Sequence, residues 1–103
     1  MPLYVVTYEH PDEEGWRQHV MPHVAWLKER LKDSSLLASG PFTDAPVKGA
    51  LLVMAAPDRA ALDALIATDP FAVENLIENM IVREWDPIFG RFNDQSTMPR
   101  RVK

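Results

Sequence analysis

Three short segments of this chain carry apolar residues at positions of both parities, and that limits the sheets they can build. Residues 3–9 (Leu-Tyr-Val-Val-Thr-Tyr-Glu) are β-branched and aromatic, the composition of a strand. Their alternate positions place Leu3 and Val5 on one side and Tyr4, Val6 and Tyr8 on the other. Residues 47–56 repeat the pattern, with Ala50, Leu52 and Met54 against Leu51, Val53 and Ala55. Residues 79–85 do so with Met80 and Val82 against Ile81 and Trp85. An antiparallel sheet with one wet face alternates apolar and polar residues, and these strands do not. A bare second face would exceed the few hundred Å² of apolar patch that monomers usually expose. A second copy of the sheet would cover it, or the C-terminal segment with Ile88, Phe89 and Phe92 folding back.

The intervening segments read as helices. Between Trp16 and Leu31, apolar Val20, Val24, Leu27 and Leu31 recur at three- and four-residue spacing. Pro22 lies inside that pattern, where it either kinks the helix or starts its main segment. The stretch His10 to Gly15 before it reads as a polar turn, and residues 35–39 as a strand stopping at Gly40-Pro41. Pro57-Asp58 opens a second helix whose buried face is Ala61, Leu62, Leu65 and Ile66, and Asp69-Pro70-Phe71 starts a further short turn. The order β-α-β-β-α-β, with right-handed crossovers, predicts an α+β ferredoxin-like fold: two helices on one face of a four-stranded antiparallel sheet. The domain is expected over residues 1–87, with 88–103 as a basic C-terminal tail.

Composition narrows the function. The 103 residues include no cysteine, which removes disulfides, thiolate metal sites and a Cys nucleophile. Residues 1–86 hold seven Lys/Arg against fourteen Asp/Glu, whereas 87–103 hold four against one. So acidic a body repels phosphate backbones and argues against nucleic acid as a partner. No apolar run approaches the roughly 20 residues of a membrane span, and the N-terminus lacks signal-peptide character. The expectation is a cytoplasmic protein with no membrane partner.

Histidine is the natural proton carrier near neutral pH in such a chain. Of the three histidines, His10, His19 and His23, His23 lies near the boundary of the apolar stripe of the first helix, beside Val24, Trp26 and Leu27. His19 and His23 have a spacing that can bind a metal, but Val20 stands where zinc proteases carry Glu and Pro22 intervenes, so no metal is expected. Asp69 before Pro70 fits a helix cap, and a carboxylate there could equally hold an imidazole in one tautomer.

Four features occur in order: His23-Val24-Ala25-Trp26-Leu27, Ser39-Gly40-Pro41, Asp69-Pro70-Phe71 and Trp85. The set resembles the YCII (YciI-like) family over residues 1 to about 87. Val24, Trp26 and Glu84 depart from that family's usual Leu, Tyr and Pro. The resemblance implies a dimeric α/β-barrel fold and a catalytic pair falling on His23 and Asp69. It implies acid/base elimination, as a dehydrohalogenase or lyase, or isomerisation, of a small cyclic or aromatic substrate without a cofactor. Gly40 and Pro41 would then shape the pocket wall, and Phe42, Phe71 and Trp26 its apolar lining. The other expectation for the same fold is a non-catalytic ligand-binding or interaction module.

Overall fold

The computed structural model describes residues 1–102. Its elements are β1 (Leu3–Glu9), α1 (Glu13–Lys32), β2 (Leu36–Pro41), β3 (Gly49–Ala55), α2 (Arg59–Ile66), the single turn α3 (Pro70–Val73) and β4 (Glu78–Trp85). The strands form one antiparallel sheet in the order β2-β3-β1-β4, the ferredoxin-like topology expected from the sequence. The register sets Tyr4, Val6 and Tyr8 opposite Met54, Leu52 and Ala50. These side chains face the helices and form the main core with Leu36, Trp26, Leu62 and Ile66.

α1 starts three residues earlier than the apolar pattern suggests. Asp12 caps it, its carboxylate accepting from Gly15 N at 3.0 Å, and Glu13 and Glu14 occupy the positively polarised first turn. Pro22 does not begin a new segment; the helix runs through it from Glu13 to Lys32. Pro22 and Gln18 are both exposed, so the carbonyl that loses its partner faces water. α2 is capped in the same manner by Asp58, which accepts from Ala61 N at 2.8 Å.

On the face away from the helices, Leu3, Val53 and Ala55 are buried, with Leu37, Ala38 and Leu51 packed against them. The C-terminal segment returns to one end of this region. Phe92 meets Trp85 edge-on at 6.4 Å between ring centres, and Thr97 Oγ1 donates to Asp86 Oδ2 at 2.8 Å. Further along, Ile81 and Phe89 stay 50% and 74% exposed. Among the described residues no helix is long and apolar enough to cross a membrane.

At Gly49, opposite Glu9 in the antiparallel pair, the backbone of β1 leaves no room for a side chain. A Cβ there would lie 2.6 Å from the Tyr8 carbonyl oxygen, a backbone atom that no rotamer change can move. A Cβ on Gly40 would meet nothing within 4 Å, so the protein's own packing does not demand glycine there. Gly49→Ala is therefore expected to lower the thermal midpoint by about 5 °C or more, on the order of 1 kcal/mol in a domain of this size. Gly40→Ala, in the same melting experiment, should leave it unchanged or slightly raised, because Ala restricts the unfolded chain.

Candidate active site

α1 crosses over the α3 turn, and there the two residues singled out as a pair meet. His23 Nδ1 donates to Asp69 Oδ1 at 2.8 Å, with both residues buried. An ionised carboxylate only accepts, so the proton belongs on Nδ1 and Nε2 keeps its lone pair. Asp69 is also the cap of α3: the same Oδ1 accepts from Phe71 N at 3.0 Å, and Pro70 takes the first helical position. The two sequence readings of Asp69 are thus both realised, through one oxygen. Its other oxygen, Oδ2, is buried and has no hydrogen-bond partner among the described residues. Phe71 stacks on the His23 ring at 4.2 Å between centres and 23° between planes.

His23 lines a cavity of about 670 Å³, within the size range of small-ligand sites, with Asp69 buried behind it. His23, Val20, Val24, Leu27 and Leu31 of α1 form one wall. Leu36, Ser39, Gly40 and Pro41 of β2, then Phe42, Ala45, Pro46 and Lys48 of the following loop, form the other. His10 and Phe71 are also part of the lining. The recurring apolar stripe of α1 therefore faces the cavity; the buried residues of this helix are His23 and Trp26. Charge is confined to Glu13, Lys28 and Lys48, and Lys48 Nζ sits 4.2 Å from the centre of the Trp16 ring.

Gly40, Pro41, Phe42 and Phe71 line this cavity. Trp26 does not. It is in the core, its Nε1 donating to Thr68 Oγ1 at 2.8 Å, with its ring 6.2 Å from that of His23. Its indole is held behind the histidine by that bond, away from the open volume. His19 is half-buried on α1, and no cluster of three His, Cys, Asp or Glu side chains suited to a metal occurs among the described residues.

His10 was read as part of a polar turn, yet it is only 2% exposed. Its Nδ1 donates to Leu76 O at 2.8 Å, and its ring contacts Tyr8 at 4.9 Å and Phe71 at 4.5 Å. The signal was available: Tyr4, Val6, Tyr8 and His10 continue one two-residue alternation on the inward face of β1. Burial pushes the His10 imidazole below its usual pKa of 6.5. The Leu76 bond and Asp69 oppose this, while His23 and Lys48 add to it.

The family model described as YCII-related domain matches residues 1–86. Among solved structures, 5-chloro-2-hydroxyhydroquinone dehydrochlorinase (TftG) from Burkholderia phenoliruptrix AC1100, in complex with 2,5-dihydroxybenzoquinone, aligns with a TM-score of 0.70. It shares 19% identity, over 82% of this chain and 93% of that one. Rv0793 from Mycobacterium tuberculosis aligns at 0.53 with 13% identity, over 87% and 98% of the two chains. A conserved protein from Methanosarcina mazei Go1 aligns at 0.52 with 18% identity, over 82% and 91%. At these identities the structures share the fold. No curated protein matches in sequence.

The lowered His10 pKa has a consequence for stability. The unfolded chain binds a proton at His10 near pH 6.5, and the folded chain does so only at lower pH. The contribution of neutral His10 is therefore complete above about pH 6.5 and is lost as pH falls from there toward the folded pKa. In urea unfolding at pH 7 and pH 5, the wild type should lose more stability than His10→Asn, whose amide can keep the bond to Leu76 O but does not titrate. Equal losses would place the His10 proton affinity at its unfolded value.

Proposed function

This chain belongs to the YCII-related family, and on that premise we propose that it is a cytoplasmic small-molecule enzyme using His23 as general base and Asp69 as its positioning acid. The supporting observation is the buried His23–Asp69 hydrogen bond at the wall of an open, mostly apolar cavity. With Nδ1 bonded to Asp69, Nε2 can take a proton from carbon. In an elimination, which on a chlorinated phenol proceeds from the keto tautomer with H and Cl on adjacent sp³ carbons, the C–H electron pair becomes the new double bond and the leaving group departs from the adjacent carbon as its anion. In an isomerisation, the same nitrogen returns the proton elsewhere. Either way an imidazolium forms at His23, and the adjacent carboxylate offsets its charge. Positioned proton transfer of this kind contributes about 10²–10⁴-fold. Gly40, Pro41, Phe42 and Phe71 would bound a flat ring, with Trp26 holding His23 from behind.

A dehydrochlorinase on this fold suggests the first substrates to try: chlorinated hydroxyhydroquinones, with chloride release as the readout. His23→Gln and Asp69→Asn are each expected to lower kcat/KM by about 10²-fold or more. Asp69→Asn should do so with the fold intact, because Asn caps a helix about as well as Asp but cannot offset an imidazolium. Substrates that bind without turnover, across a panel of halogenated and hydroxylated rings, would favour the non-catalytic module.

The face of the sheet away from the helices supports a homodimer. Ile81 and Trp85 are exposed there beside half-buried Val5 and Leu51, an apolar surface that a second copy would cover. Light scattering at micromolar concentration should give twice the chain mass of 11.7 kDa. A clean monomer would overturn this assembly while leaving the His23–Asp69 proposal standing.

A further inference from the structure

We propose that His10 is a second ligand-contacting residue of the cavity, a fixed neutral acceptor whose Nε2 takes a hydrogen bond from a hydroxyl on the bound molecule. This rests on the cavity being the ligand site, and not on any turnover there.

The other two nitrogen atoms of His10 are accounted for. Its main-chain N–H donates to Lys48 O at 2.7 Å, which ties the end of β1 to the start of β3. Its Nδ1 donates to Leu76 O, which fixes the tautomer and leaves Nε2 as an acceptor. Tyr8 and Phe71 contact the ring, so it is held by packing as well as by hydrogen bonds. Nε2 makes no hydrogen bond to any described residue, while the ring lines the cavity. Nε2 is not among the buried polar atoms that lack a partner, so it stays accessible on a residue of the cavity wall, where an acceptor can take a donor from a ligand. A purely structural residue here would need only the Nδ1 bond, which Asn could supply.

His10 and His23 both touch the Phe71 ring, at 4.5 and 4.2 Å, and both line the cavity, so the two imidazoles flank one buried ring at the same cavity wall. Their chemical settings differ. His23 is backed by a carboxylate and His10 by a carbonyl. A carbonyl offers a forming imidazolium much less than a carboxylate does, so His10 suits recognition of a donor and His23 suits proton removal. The discriminating feature of the ligand is then an O–H directed at His10, which a methoxy group or hydrogen in the same place cannot replace.

Catechol and its dimethyl ether are the probes. Their binding to the full-length wild type and to His10→Asn is followed by NMR of cavity methyl groups. Catechol should bind the wild type about fivefold more tightly than the ether, the effect of one neutral hydrogen bond. In His10→Asn the two should bind alike, because the amide N–H keeps the bond to Leu76 O while the amide oxygen falls at the Cδ2 position, short of where Nε2 stood. In the wild type alone, the ¹⁵N resonance of His10 Nε2 should move on adding catechol and not on adding the ether, a measurement that stands even if the variant misfolds. A catechol preference that survives in His10→Asn overturns the proposal by assigning the hydroxyl to another acceptor. An Nε2 resonance that neither probe moves overturns it as well. Because no reaction is measured, loss of chloride release and loss of His10 recognition are separate results.

Discussion

Asp69 Oδ1 accepts from the His23 ring and from the Phe71 main chain at the same time, and the relation between α1 and the α3 turn follows from that double acceptance. The cap fixes where the carboxylate stands, because the first free N–H of α3 must point at it. The imidazole then fixes where α1 stands, because only one rotation of that helix brings His23 to the same oxygen. Phe71, positioned by the cap, stacks on the imidazole and closes the arrangement. A fold-stabilising bond and a bond that sets a ring tautomer thus share one atom. Loss of that atom would disturb the turn and the imidazole together, whereas Asn retains the cap and removes only the charge.

Legibility in the sequence followed the range of the interactions concerned. The strands and the second helix were readable because their signals are local: β-branched runs, apolar spacing, and Asp58 and Asp69 ahead of helical starts. The two-faced strands pointed correctly to a sheet with apolar residues on both sides. The start of α1 was missed because it depends on the Asp12 cap, with no apolar residue before Trp16 to announce it. His10 was missed for a similar reason. A proline and three acids follow it closely, so composition suggested a wet turn, while its parity along β1 carried it inward.

Trp26 and the α1 stripe show what spacing cannot reveal. Helical periodicity establishes that Val20, Val24, Leu27 and Leu31 share a face, but not whether that face meets a sheet or an open volume. Here the sheet is reached by Trp26, one position before Leu27, and its indole finds Thr68 across a separation in sequence that no local pattern encodes. The His23–Asp69 contact is similarly long-range. What made it readable was the ordered set of short motifs, with the geometry following from the topology.

That α1 turns its aliphatic stripe to the cavity also affects how freely this site can change over evolutionary time. Residues packed in a core are constrained by volume, since each methylene added or removed strains or hollows the packing. Val20 and Val24 are only half-buried and Leu31 is exposed, and none of the three packs against the main core, as Leu27 does. Exchanges among Val, Leu, Ile and Met at these three positions would reshape one wall of the cavity at small thermodynamic penalty. The bonds that hold His10 and His23 would not be touched. A lineage built on this framework can therefore drift in the size and outline of what it accommodates without first acquiring spare stability.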